Sequence, residues 1–214
     1  MRFVGIDPAT KTGFVALNEQ GSVEVEVELI GKGRKEPGGL TAYQLVSLEN
    51  QIYRLLQPGD IIAIEEPAYG TNMGVTTGMI HGGLRTMIIR RQLDYFDVNP
   101  NYTKSFVNSN RRAKEGEDKK KIIAAAVLAH YGYKHGSDNV TDAFIIAHIA
   151  KGIYEAQQGS WLEDYLPYQR EVITKIVKPP PKESKKPKQK SNKRRGKPAA
   201  ADSHTHLTEQ PFLF

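Results

Sequence analysis

MRFVGIDPATKTGFVALN (1–18) decides the fold. RFVGID (2–7) is an apolar run closed by an acid, as in a buried strand, and GFVALN (13–18) reads as a second strand after a tight turn. Outward from this pair, SVEVEVELI (22–30) alternates, with Val23, Val25, Val27 and Leu29 on one side and glutamates on the other. Period two with one wet face predicts a strand towards the edge of a sheet. From Leu40 to Leu56 the period changes: Leu45, Leu48, Ile52, Leu55 and Leu56 share one helical face, and Pro58-Gly59 ends it. DIIAIEEP (60–67) fits a strand buried on both faces, 74–92 a helix weakened by Gly78, Gly82 and Gly83, and YFDVNP (95–100) a further strand. A basic segment, 102–121, leads into the helix KIIAAAVLAHYG, and NVTDAFIIAHIAKGIYEAQQG (139–159) forms another, burying Val140, Ile145, Ile149 and Ile153. Five strands, three in a meander and two alternating with helices, predict an α/β fold: a mixed five-stranded sheet with helices on both faces.

Composition changes sharply beyond Val177. KPPPKESKKPKQKSNKRRGKPAAA offers too little apolar surface to offset its ordering entropy and is expected to be a disordered basic tail. Of the 30 Lys/Arg, ten lie from Lys178 onward against three acids, which leaves twenty bases and twenty-one acids in the body. The net charge of +6 therefore belongs to the tail and says little about what the body binds. The expected organisation is a folded domain over 1–177, a Lys/Pro-rich linker over 178–209 and a terminal peptide over 210–214. The chain has no cysteine, which excludes a disulfide framework and a cysteine-held zinc site. No apolar run approaches the roughly 18 residues of a membrane span. The first residues lack a signal-peptide layout, so a cytoplasmic protein with no membrane partner is expected.

Three acids stand where acids are costly. Asp7 closes one hydrophobic strand, Glu65 closes another, and Asp142 opens an apolar helix. Singly, each has a bland reading: a turn before Pro8, an exposed strand end, an acid favoured by the helix dipole. Together they can meet, because neighbouring strand ends converge on one edge and a helix start can pack beside them. Gathered carboxylates repel unless cations neutralise them, and hard oxygen donors suit Mg²⁺ or Mn²⁺. Two such ions, roughly 4 Å apart, serve phosphodiester hydrolysis.

GIDPATKTG on the first strand, AIEE on a later one and the acid-rich start of the last core helix, in that order, resemble the RuvC family of Holliday-junction resolvases over about residues 1–157. The resemblance implies a ribonuclease H-like fold, a homodimer acting on four-way junctions or other branched DNA, and two Mg²⁺ or Mn²⁺ ions. It carries the ligand roles to Asp7, Glu65 and Asp142. The family usually places an Asp or His three residues before the last Asp; here that residue is Asn139, and Asp138, one helical turn before Asp142, is the expected fourth ligand. Glu66 is read as a solvated or structural acid. His81, His130 and His148 are read as packed or surface histidines.

Lys104, Arg111, Arg112, Lys114, Lys119, Lys120 and Lys121 lie where the family carries cations for the junction backbone, and Lys104 and Lys119 match best. Such contacts would give salt-sensitive, shape-driven binding; a charge run is also commonly just a solvated face. Tyr69 is the candidate for stacking on an unpaired base, with a plain loop tyrosine as the alternative. The terminal QPFLF, through Gln210, Phe212, Leu213 and Phe214, is similar to the short peptides that dock on the bacterial sliding clamp. Alternatives that the residues leave open are a nuclease for RNA–DNA hybrids or for RNA processing, and a non-catalytic DNA- or clamp-binding module.

Overall fold

The computed structural model describes residues 1–34, 36–37, 39–67, 74–109, 118–160 and 162–179. By its contacts the chain divides into Met1–Pro180 and Pro181–Phe214, and the second unit lies outside the described residues. The expected linker and terminal peptide, with Gln210, Leu213 and Phe214, therefore lie outside them too.

In chain order the elements are β1 (Phe3–Asp7), β2 (Lys11–Leu17), β3 (Val23–Ile30), α1 (Ala42–Leu55), β4 (Ile61–Glu65), α2 (Val75–Arg90), β5 (Tyr95–Val98), α3 (Pro100–Phe106), α4 (Lys119–Tyr131), α5 (Asp138–Gln157), a 3-10 turn (Leu162–Asp164) and α6 (Pro167–Val177). The five strands form one sheet in the order β3-β2-β1-β4-β5. The first three run antiparallel, while β1–β4 and β4–β5 are parallel. This is the mixed α/β sheet expected from the patterning. No helix among the described residues is long and apolar enough to cross a membrane.

Strand alternation divides the core in two. Phe3, Val15, Leu17, Ala63 and Val98 face α5 and α6, where Val140, Ala143, Phe144, Ala147 and Ile173 meet them. Val4, Ile6, Phe14, Ala16, Ile62 and Ile64 face α1 and α2 through Leu48, Ile52, Ile80, Leu84 and Ile88. At the far end of the sheet, Arg2 grips Asp60 with two bonds of 2.9 and 2.7 Å and caps the Leu55 carbonyl at 2.8 Å, which ties the end of α1 to the start of β1. That ion pair is buried but bidentate, so neither charge is stranded.

Two helices go beyond the sequence reading. α3 is a seven-residue helix that takes Pro100 from the run read as a strand and continues into the stretch read as a basic segment; the Asn99 side chain accepts from the Asn101 amide and Pro100 sits at its first position. α6 also carries a proline at its first position, Pro167, and buries Val172 and Ile173. The edge strand also differs. The glutamate face of β3 is partly covered, because Glu26 accepts from the Tyr133 hydroxyl at 2.6 Å and Glu28 accepts from the Ser137 hydroxyl and from the Asn139 amide. These acids anchor the α4–α5 connection and, with it, the first turn of α5.

Candidate active site

Asp7 and Glu65 end up side by side because β1 and β4 are parallel neighbours in register, Ile6 opposite Ile64. The two-residue period then puts both side chains on the face that Phe3 and Ala63 present to α5. The helix comes unusually close there. A Cβ built on Gly5 would stand 2.0 Å from the Ala143 carbonyl oxygen and 2.4 Å from the Ala147 nitrogen; one on Gly13 would stand 2.0 Å from the Asn139 carbonyl oxygen. Asn139, Ala143 and Ala147 form one helical row, so α5 rests backbone to backbone on β1 and β2. Ser137 caps the helix, its hydroxyl accepting from the Val140 amide. This contact brings Asp142 to the strand ends.

The charges of the three acids act on one another. Asp7 is 7% exposed and hydrogen-bonded to Glu65. Burial, then the charge of Glu65 and that shared bond, raise the Asp7 carboxyl well above its usual value, with Lys120 opposing. Glu65 is pushed up to about 7, first by burial and then by the charge of Asp142; the bond to Asp7, the charge of Lys104 and the Thr103 hydroxyl act the other way. Asp142 also rises to about 7, by burial and then the charges of Asp7 and Asp138, against Lys104 and Lys120. Asp138 stands at the rim, its side chain 48% exposed and paired to Lys120 at 2.8 Å. Asn139 turns away, its amide on Glu28 at 3.3 Å.

Among the described residues no three His, Asp or Glu side chains stand close enough to ligate one ion as they are placed. The acids occupy one corner, but each is turned to a protein partner: Asp7 to Glu65, Asp138 to Lys120. The donor set is all oxygen, which fits Mg²⁺ or Mn²⁺. Thr103 adds a hydroxyl in the same corner: it lies against Glu65, and its Oγ1 is buried with no hydrogen bond of normal geometry.

Of the expected phosphate-binding cations, Lys104 on α3 faces Glu65 and Asp142, and Lys120 rather than Lys119 reaches the acids from the start of α4. Tyr69, Arg111, Arg112 and Lys114 lie outside the described residues. Glu66 accepts from the Asn99 amide at 3.5 Å. The histidines stand apart from the acids. His148 stacks on Tyr131 with ring centres 4.3 Å apart, and burial lowers it to about 3; His81 is lowered to about 4 in the same way. Sequence reasoning missed Thr103, whose only prior signal was the Asn-Pro start of α3.

No protein-family model and no curated protein matches the chain. Solved structures do. RuvC of Thermus thermophilus in complex with Holliday junction substrate matches with a TM-score of 0.55 at 17% identity, over 75% of this chain and 97% of that one. A Thermus thermophilus RuvC structure matches with a TM-score of 0.50 at 20% identity, over 75% and 98%. At that identity the likeness concerns the fold: this chain has a RuvC-like, ribonuclease H-like α/β fold.

Proposed function

We propose that this protein is a divalent-cation-dependent endonuclease that nicks branched DNA, four-way junctions foremost. The observation that carries the reading is the buried, hydrogen-bonded Asp7–Glu65 pair at the ends of two parallel strands, with Asp142 brought against it by α5. Buried carboxyls packed against one another are a poor structural device, since an apolar pair would pack there at lower cost. They are a good ligand set in waiting. Asp7, Glu65 and Asp142 would hold the ions, with Asp138 completing the set once it leaves Lys120. Bound Mg²⁺ or Mn²⁺ would supply an activated water and neutralise charge developing on the leaving 3′ oxygen.

The remaining work falls to the chain's own residues. Lys104 and Lys120 flank the acids and would orient the scissile phosphate by charge. Protons and cations compete for Asp7, Glu65 and Asp142, so binding of the ions would displace the protons that burial favours on these carboxyls. A RuvC structure bound to a Holliday junction supports branched DNA as the substrate class. A homodimer belongs to the same reading. It is supported by the outward stripe of α2, where Val75 is 80% exposed, Ile89 is 54% exposed, and a Cβ at Gly78 or Gly82 would meet nothing. The terminal QPFLF, carrying Gln210, Leu213 and Phe214, is proposed to bind the sliding clamp; its deletion should abolish capture on immobilised clamp.

The test is nicking of a synthetic four-way junction, a flap and an RNA–DNA hybrid under one Mg²⁺ condition. The junction should be cut, and Asp7→Asn and Glu65→Gln should abolish cutting while junction binding is retained. Full activity of both variants removes the nuclease reading, and preferred cutting of the hybrid moves the substrate to RNA–DNA duplexes.

A further inference from the structure

One guanidinium holds the end of β4. Arg85, on α2, donates through Nη2 to the main-chain carbonyl of Glu65 at 2.9 Å and to Asp97 Oδ1 at 2.8 Å. Its Nε reaches the same Asp97 oxygen at 3.2 Å. Its Nη1 donates to the His81 carbonyl at 3.2 Å and lies 2.9 Å from His81 Nδ1. Below it is the ring of Tyr95, 5.7 Å from the guanidinium carbon. Arginine has no acceptor and stays charged, so Nδ1 of His81 must be the acceptor and its proton sits on Nε2. Burial, and next the charge of Arg85, hold His81 down to about 4, which keeps that acceptor available through the neutral range.

The position of this bond matters. Pairing with β1 runs out at Ile6 and Ile64, and beyond Glu65 only β5 remains as a neighbour, through Val98. A strand end with one neighbour frays easily. Its carbonyl is caught from the α2 face, while its carboxylate leaves on the α5 face towards Asp7 and Asp142. Asp97, one residue before Val98, joins β5 to the same clamp. We propose that Arg85 is a positioning residue for the carboxylate corner, fixing the Glu65 main chain to β5 and α2 so that the Glu65 carboxylate meets Asp7 and Asp142 at ligand depth.

This inference rests on the proposed cation site. Partners that orient ligands from outside typically matter by about 10–100-fold in metal affinity. The ion pair with Asp97, half exposed, adds little to folding by itself. A lysine keeps the charge but cannot span Glu65, Asp97 and His81 at once.

The experiment is calorimetric titration of the full chain with MnCl₂, beside thermal melting without added metal, for the wild type, Arg85→Lys, Asp97→Asn and Asp7→Asn. Arg85→Lys should weaken Mn²⁺ binding by about 10–100-fold while shifting Tm by only a few degrees. Asp97→Asn, which leaves the guanidinium in place with a weaker anchor, should fall between it and the wild type, and supplies the reading if Arg85→Lys folds poorly. Wild-type affinity in both variants, against a wild type whose binding is lost in Asp7→Asn, overturns the positioning role and leaves the cation site standing. No Mn²⁺ binding by the wild type overturns both.

Discussion

The two faces of the sheet are covered by similar apolar side chains, yet they are built differently. On the α1/α2 face the helices stand off on Leu48, Ile52, Ile80 and Leu84, as in an ordinary core. On the α5 face the helix backbone itself lies on Gly5 and Gly13. A layer spaced by side chains can repack over a few tenths of an ångström, whereas a backbone resting on a backbone has one register. The acids belong to the second kind of face, and carboxylates that must share ions need that kind of fixity.

The sharpest way to break this comparison is to fill the close contact. Gly5→Ala puts a methyl group 2.0 Å from a main-chain oxygen that cannot swing aside. It should cost well over the roughly 1–3 kcal/mol of ordinary overpacking and displace α5; melting and circular dichroism would show it, and a fully stable variant would refute the packing account. Asp7→Asn comes next. We expect nicking to fall about 1,000-fold or more, roughly 4 kcal/mol at the transition state, with the metal-free protein no less stable, because the repulsion between Asp7 and Glu65 has been removed.

Leu48→Ala, on the other face, should cost about 2–5 kcal/mol in chemical denaturation but leave Mn²⁺ affinity unchanged in the folded protein. A matching loss of affinity would mean that both faces set the site. The pH dependence should separate the faces again. Glu65 and Asp142 are raised to about 7 from 4.5 and 3.8, so the folded chain binds more protons than the unfolded one between those values. Metal-free stability should therefore fall as pH rises from 5 to 8, by on the order of 2 kcal/mol for each group, and Asp142→Asn should flatten the slope. Cation binding should follow the opposite course and strengthen over the same range. The smallest expected effect is Gly78→Ala on α2, where a Cβ meets nothing. In dilute protein it should stabilise by about 0.5–1 kcal/mol, the reverse of the same change at Gly5.

Much of this was legible in the residues. The strands β1, β2, β4 and β5 follow from short apolar runs, β3 from its alternation, and the helices α1, α2, α4 and α5 from longer apolar stretches bounded by turn residues. α3 was not legible because seven residues cannot display a helical period; only Asn99-Pro100 marks it. α6 carried its signal in Pro167, Val172 and Ile173, which the change of composition nearby overshadowed. The candidate ligands Asp7, Glu65 and Asp142 stood out because an acid ending an apolar run is costly. The fourth was harder. Whether Asp138 or Asn139 faces the corner depends on Glu28, which lies more than a hundred residues away and takes the Asn139 amide.

The chain by itself determined the five strands and the four longest helices, where acids interrupt apolar runs, and that the excess positive charge resides beyond Val177. These are local matters of period, propensity and composition. Only the tertiary structure decided that Gly5 and Gly13 admit a helix backbone, that Lys120 rather than Lys119 meets Asp138, and that Arg85 holds the main chain of Glu65. Each of those depends on atoms far apart in sequence reaching within about 3 Å, and a linear pattern holds no record of such distances.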